Sequence, residues 1–509
     1  MHPQRIMIVA WGSRGDIEPV AALAGHLKDI GRDVLVFATP PATNLLESQG
    51  LPFVAAHENI ETFMGKLFGE VDLSDRSLSG VIRLVKFGRK YINDPEYVQL
   101  QRSDVARAFE AAKEFAPDAL VVPNIVYGGY VAIAEALRIP VITFDLQINH
   151  PTPDYPLFQM RVDSVPRWLN LGLYRLKSFF YPKVWRAQFE AAREIVGINP
   201  RRYHDGTKHK IWPHDFPQVC AAPTTIFSQP TQWPKHKTVS GSWVFKGKKT
   251  FSPPQSLVDF LEKAPVYIGF GSMKSSPEFR MRVSSLAIGA LYEADRPGVL
   301  LGGWAGLSRE ALDTSTPRGH ELYAWAERNV YEIESCPHDW LFPQCSVIVH
   351  HGGAGTFSAS LRSGRPSVVC AFQGDQPFHG SLTEAKGLGR YLGIVGSPTV
   401  TSESLGAAII DMMENRKVQE RAARTSALVR AEDGVTIAAD FIDSLVESHT
   451  YPWPTARSGT STWTPTGVRV PAGVPRIGRC FAFLRGMVPA LVKRERSLNL
   501  KQKLLVMEE

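Results

Sequence analysis

The sequence predicts an α/β protein of two doubly wound parallel-sheet domains that face one another across an interdomain cleft. Three observations predict it: a β-turn-α-β pattern opens the chain, a second alternation of the same kind starts near residue 266, and a proline-rich stretch lies between them. With 509 residues there is length for two large cores, and 44% hydrophobic with 21% charged residues is the composition of an ordinary soluble globular protein.

Taken in order, Ile6–Ala10 is a strand, Gly12-Ser13-Arg14-Gly15-Asp16 a turn, Pro19–Ile30 a helix closing at Gly31, and Val34–Ala38 a second strand. Asp118–Val122, a helix over Tyr130–Leu137 and Pro140–Phe144 repeat the unit. Residues 151–203 form a largely helical segment rich in Trp, Tyr and Phe. Such segments leave a parallel sheet at its ligand edge and suit an apolar pocket; alternatively Trp168, Tyr174, Phe179, Phe180 and Trp185 are packing faces of helices. Gln229–Pro254 holds four prolines and a lysine cluster and reads as the linker.

The second unit runs through strands at Val266–Phe270, Gly298–Gly302 and Val330–Glu334, with a helix over Pro277–Tyr292. Leu307–Asn329 reads as an exposed loop, and helices over Leu405–Glu414 and about 418–445 complete the unit. The expected division is 1–240, 241–449 and a tail of 450–509.

The most informative stretch is Val347–Gly380. A strand over Ser346–Val349 runs into His350-His351-Gly352-Gly353-Ala354-Gly355-Thr356, and a helix follows over Phe357–Ser363. Glycines admit close backbone approach, and the first helical N–H groups lack partners and favour an anion, so the turn suits phosphate. The next strand, Pro366–Phe372, puts Asp375 and Gln376 at a carboxyl end, the edge where α/β proteins bind ligands. A diphosphate on the helix and a hydroxyl-rich group at the acid-amide pair describe a nucleotide sugar.

The net charge of +7, from 57 basic and 50 acidic residues, is modest, and no zinc-finger or RNA-binding signature accompanies it, so nucleic acid is not the expected partner. Five cysteines (220, 336, 345, 370 and 480) without a CxxC pair fit free thiols in a reducing compartment. The opening apolar run is too short for a signal-peptide core and no stretch reaches the roughly 18 apolar residues of a membrane span, so the expected location is cytoplasmic. A basic, partly apolar segment over 476–503 suits peripheral contact with an anionic membrane, or equally a docked or solvated terminus.

Gly12-Ser13-Arg14-Gly15-Asp16, Pro337-His338-Asp339-Trp340-Leu341-Phe342-Pro343, HHGGAGT and GDQPF occur in one order across Arg5 to about Ser448. In these motifs the chain resembles the sterol 3-β-glucosyltransferase-like branch of the UDP-glycosyltransferases. The resemblance implies a GT-B fold and inverting transfer of a hexose, most readily glucose from UDP-glucose. The acceptor would be the hydroxyl of a lipophilic small molecule such as a sterol, terpenoid or polyketide. It implies no cofactor and no catalytic metal, and the sequence holds no Asp-x-Asp pair to carry a cation on a diphosphate.

By that resemblance Asp16 is the general base, His351, Gly353, Gly355, Thr356 and Ser272 hold the donor phosphates, His338 grips the base of the nucleotide, and Asp375 and Gln376 receive the sugar. Asp16 has a second reading as a helix cap, and His350 reads as structural. Ser13 and Arg14 either touch a ligand or shape the turn, and Trp304 either stacks on the base or packs in the core. His379 stands where tryptophan is common in the branch and Gln373 where an apolar residue is common. Both flank the sugar pair and bear on the donor sugar. Plant relatives carry a ribose-binding glutamate near Ala359 and a base-stacking tryptophan near Ser335, neither present here. The competing functions are a GT-B nucleotide-sugar epimerase and a sugar-nucleotide-binding protein without catalysis. A dinucleotide oxidoreductase is excluded by the aspartate inside the first turn, which would repel phosphates.

Overall fold

A computed structural model describes residues 4–57, 90, 94–124, 126–158, 160–162, 166–202, 216–245, 251–271 and 276–448. Two all-parallel sheets organise them. The first has the order β3-β2-β1-β4-β5-β6-β7, from β1 (Arg5–Ala10), β2 (Asp33–Ala38), β3 (Phe53–Ala55), β4 (Ala119–Pro123), β5 (Val141–Asp145), β6 (Gln218–Cys220) and β7 (Lys237–Val239). The second has the order β10-β9-β8-β11-β12-β13, from β8 (Val266–Gly269), β9 (Gly298–Leu301), β10 (Val330–Ile333), β11 (Ile348–His350), β12 (Ser367–Ala371) and β13 (Gly389–Ile394). Every residue of β4, β5, β8, β9, β11 and β12 is buried, as strands covered by helices on both faces must be. The strand order reverses between β1 and β4 in one sheet and between β8 and β11 in the other, and these reversals open crevices at the carboxyl ends.

The principal helices are α1 (Arg14–Asp29), α2 (Pro95–Phe115), α3 (Tyr127–Leu137), α4 (Arg167–Ile195), α5 (Pro277–Glu293), α6 (Pro317–Asn329), α7 (Ala354–Ser363), α8 (Gln376–Ala385), α9 (Ser402–Glu414), α10 (Arg416–Arg430) and α11 (Gly434–Glu447). Several depart from expectation. Helix α1 starts at Arg14 behind an extended Ser13, five residues before Pro19, which lies inside it. Proline lacks an N–H, so the Gly15 carbonyl is left without its usual partner four residues on. Residues 317–329 are helical, not looped, because Thr316 caps them through the Gly319 N–H and Leu322 and Ala326 face the core. The single helix expected over 418–445 is two, α10 and α11, broken at residues 431–433.

The stretch 229–254 is more than a linker. It supplies β7, and Trp243 is 3% exposed in the first core, its indole N–H donating to Ser240 Oγ at 3.0 Å. Helix α11 also returns to that core, where Val435, Ala438, Ala439, Ile442 and Leu445 pack with Val20, Leu23, Leu27 and Trp243. A separate apolar seam joins the two halves: Phe227 stacks on Phe378 with centroids 6.0 Å apart, and Val429, Leu361 and Leu382 pack with Ile148 and Trp233. Among the described residues no helix is long and apolar enough to cross a membrane. The tail from 449 onward lies outside them.

Candidate active site

On the first sheet the site is built on the turn after β1. Gly12 has φ +130°, and a Cβ there would lie 2.5 Å from Asp16 Oδ2, so the carboxyl group folds back over a residue that must be glycine. Ser13 donates to the same oxygen twice, from its N–H at 2.8 Å and its hydroxyl at 2.9 Å. Asp16 is therefore the third helical residue, held by the capping Ser13, and not itself the cap. Its second oxygen, Oδ1, accepts no hydrogen bond among the described residues. Water reaches the side chain, yet protein surrounds it at longer range. Burial pushes its pKa up to about 6, Ser13 opposes the shift, and the charge of Asp375 adds to it.

On the second sheet the turn after β11 is braced from behind. His350 is fully buried and its Nδ1 accepts the Gly352 N–H at 3.1 Å, which bears out its reading as a structural residue. Gly352, at φ +91°, turns its carbonyl toward His379 Nδ1 at 2.8 Å. His379 is 1% exposed and stacks on Phe357 with centroids 4.6 Å apart. It thus lies behind the turn, with Nδ1 3.6 Å from Asp375 Oδ2. His351 is wedged between two glycines: a Cβ on Gly271 would meet its Cε1 at 2.5 Å and one on Gly353 its Nε2 at 2.4 Å. Gly353 precedes α7 as its cap, so Ala354, Gly355 and Thr356 form the first turn, three residues earlier than expected, with their N–H groups at the helix entrance. Burial lowers the pKa of His338, His351 and His379 to about 4 and that of His350 well below its ordinary value, so all four are neutral at pH 7.

Asp375 caps α8 by position, is partly exposed, and burial raises its pKa to about 7. Gln376 turns its carbonyl inward, accepting from the Phe372 N–H at 2.7 Å and the Gln373 N–H at 3.1 Å. That oxygen is engaged by the loop. His338 opens a one-turn helix, stacks on Phe342 at 4.4 Å and feels the charges of Glu18 and Arg14 from the first sheet's α1. Arg14 is exposed and 3.8 Å from Glu18. Ser272 lies outside the described residues. Trp304 falls in a short 3-10 turn, Gly303–Ala305, and its side chain lies outside them too.

The two halves meet at their helix entrances. A Cβ on Gly355 would lie 3.3 Å from both the α-carbon and the carbonyl oxygen of Gly15, so α1 and α7 touch start to start. Asp16 stands on one side of that contact and the phosphate-type turn on the other. Sequence reading missed Asp145, at the end of β5. Its carboxyl group accepts from Asn124 Nδ2 at 2.8 Å, Asn149 Nδ2 at 3.2 Å and Gln218 Nε2, and burial raises its pKa to about 6. An acid at a strand's carboxyl end was the available signal. Among the described residues no group of three or more His, Cys, Asp or Glu side chains is placed to hold a metal.

Two doubly wound parallel sheets, facing at their carboxyl edges across a cleft, are the GT-B architecture of glycosyltransferases. Solved structures share it: the glycosyltransferase SnogD from Streptomyces nogalater has a TM-score of 0.54 at 15% identity, covering 87% of this chain and 99% of that one. The spinosyn forosaminyltransferase SpnP has a TM-score of 0.58 at 16% identity, covering 87% and 99%. Residues 310–437 match the family model described as the erythromycin biosynthesis protein CIII-like, C-terminal domain.

By sequence the chain is a relative of sterol 3-beta-glucosyltransferases. It is 28% identical to one from Arabidopsis thaliana over 454 residues, 85% of this chain and 64% of that protein. It is 27% identical to one from Cryptococcus neoformans, over 87% of this chain and 27% of that protein. The chain thus spans about two thirds of the plant relative and about a quarter of the fungal one.

Proposed function

We propose that this chain is an inverting glycosyltransferase that moves a hexose, glucose from UDP-glucose in the first instance, to a hydroxyl of a lipophilic small molecule. The observation that carries the reading is the meeting of α1 and α7, which sets the Asp16 carboxylate opposite the HHGGAGT turn. The sterol-transferring relatives support a hydrophobic alcohol as the acceptor class.

In the proposed reaction Oδ1 of Asp16 takes the proton of the acceptor hydroxyl. The freed oxygen attacks the anomeric carbon from the face opposite the leaving group. The bond to the diphosphate oxygen breaks, its electron pair leaves with the nucleotide diphosphate, and the anomeric configuration inverts. Asp16 suits this task, since a pKa of about 6 leaves it mostly ionised at pH 7 yet more basic than an ordinary aspartate. The developing charge on the diphosphate is met by the first N–H groups of α7, the helix dipole, the Thr356 hydroxyl and a neutral His351, which can donate one N–H. Asp375 accepts from sugar hydroxyls, and Gln376, its carbonyl oxygen taken by the loop, donates its side-chain N–H to the sugar.

The test is incubation with a panel of nucleotide sugars and lipophilic alcohols, following nucleotide diphosphate release and product mass. Glycoside formation that drops by roughly 10²–10⁴-fold in Asp16→Asn is the expected result. Absence of turnover with every donor, or full activity in Asp16→Asn, overturns the proposal.

A further inference from the structure

Gly352, in the turn after β11, is held on three sides. Its N–H donates to His350 Nδ1 at 3.1 Å, and its carbonyl accepts from His379 Nδ1 at 2.8 Å. Its α-carbon lies against the entrance of α8, where an added Cβ would meet the Gln376 carbonyl at 3.0 Å. His351 and Gly353, its neighbours in the chain, open the phosphate-type turn, and Asp375 and Gln376 open α8. The diphosphate side and the sugar side of the candidate site thus join at one peptide, and His379 is the side chain that clasps it.

The tautomer of His379 follows from this contact. A carbonyl only accepts, so Nδ1 carries a proton, and burial keeps the ring neutral at pH 7, so Nε2 carries none. Nε2 is buried without a hydrogen-bond partner among the described residues, its ring stacked on Phe357 at 4.6 Å and set edge-on to Phe227 at 6.4 Å. A phenylalanine would fill that aromatic seam without stranding a nitrogen, and an unpaired buried nitrogen is unfavourable. Packing therefore does not account for a histidine here, whereas the Nδ1 proton does. Asp375 Oδ2 stands 3.6 Å from the same Nδ1, beyond hydrogen-bond length, so the proton is committed to Gly352.

We infer that His379 is a positioning residue that fixes the spacing between the diphosphate turn and the sugar-binding pair, through its single N–H on the Gly352 carbonyl. The inference rests on the proposed nucleotide-sugar reading and deepens it. In this role His379 touches no ligand. A nucleotide diphosphate engages the turn and is indifferent to where Asp375 lies. A nucleotide sugar spans both parts and binds well only when they stand as far apart as its own phosphate and sugar. Without the clasp the Gly352 carbonyl turns away and the spacing drifts. What His379 supplies is discrimination in favour of the intact donor over the spent nucleotide.

Calorimetry on the full chain with UDP and with UDP-glucose tests it, the quantity read being the ratio of the two affinities. His379→Phe keeps an aromatic ring and removes the donor, and His379→Leu removes both. Each should lower the affinity for UDP-glucose relative to UDP about tenfold, the effect of one buried hydrogen bond lost. His379→Asn matches His379→Leu in size but sets an amide N–H where Nδ1 was, and should restore the wild-type ratio. A side chain that only filled the core would lower both affinities alike, in His379→Asn as in His379→Leu. Far-UV circular dichroism reports folding, and the comparison of Asn with Leu stands even where His379→Phe does not fold. An unchanged ratio in the folded variants that lack the donor, or a ratio as low in His379→Asn as in His379→Leu, overturns this inference alone. A wild type that does not bind UDP-glucose overturns the donor reading and this inference with it. Absence of nucleotide diphosphate release from a chain that does bind it overturns the transferase reading alone.

Discussion

Burial raises the pKa of both Asp16 and Asp375, the charge of Asp375 adds to the shift of Asp16, and the sign of their effect on turnover follows from that. Asp16 must be ionised to take the acceptor's proton and Asp375 to accept hydrogen bonds from the sugar hydroxyls, and their pKa values are raised to about 6 and about 7. Turnover therefore rises with pH through this range, levels off above it, and falls on acidification, which a profile of kcat/KM between pH 5 and 8 reads directly. Asp375→Asn removes the charge that helps hold Asp16 up, so the acid limb of the remaining activity should move to lower pH. An unmoved limb would show that the two groups do not communicate. These two acids, His351 and the glycines around it were legible because they sit in contiguous motifs. The burial of His379 was not, because its stacking on Phe357 and its bond to the Gly352 carbonyl join it to the turn after β11, although it lies only 3.6 Å from Asp375. The Asp145 cluster was hidden for another reason: two of its amide donors come from 21 and 73 residues away in the chain.

At the level of elements, the alternation of strands and helices was legible throughout β1, β2, β4, β5, β8–β12 and their helices, because strands buried on both faces read as continuous apolar runs. The starts of α1 and α7 were not. Proline usually opens a helix, so Pro19 pointed to a start five residues too late, whereas Ser13 supplies the actual entrance. The error mattered, since these two entrances form the contact on which the site depends. Gly355→Val would drive a branched side chain into the backbone of Gly15, now 3.3 Å from where a Cβ would stand. It should lower turnover by at least tenfold, and because Gly355 also belongs to the phosphate turn, UDP affinity measured by calorimetry should fall with it. Gly271→Ala acts on the other side, displacing His351 from below, and should weaken UDP itself.

For the molecule as a whole, the described residues cross between its halves twice, once after β7 and once at residues 431–434. Helix α11 looked like the last helix of the second half because its apolar stripe carries no label saying which core it enters. In the fold it completes the first core and is pinned there by Arg32 to Asp443 at 2.6 Å and Thr436 to His26 at 3.1 Å. Its Val435, Ile442 and Leu445 bury side chains worth about 1.5–3 kcal/mol each, a sum comparable with the ~5–15 kcal/mol that holds a typical domain together. A chain ending at residue 432 should lose its first half to unfolding, seen as a lost or sharply lowered thermal transition. One ending at residue 449 should melt as the full chain does.

The two crossings are also neighbours in space. A Cβ on Gly434 would lie 2.6 Å from the Gly241 carbonyl carbon, and Glu432 accepts from the Thr224 N–H at 3.0 Å and the Thr225 N–H at 2.7 Å. Two side-by-side connections would let the halves part by rotation about a single axis, as the pins of one hinge do. With Gly15 and Gly355 in contact there is no width at that point for a diphosphate to pass. On the proposed reaction each cycle would include one opening swing to release the spent nucleotide, making turnover a matter of bulk friction as well as chemistry. At saturating substrates kcat should fall in proportion to added viscosogen such as glycerol, and a chain locked open by Gly355→Val should lose that dependence.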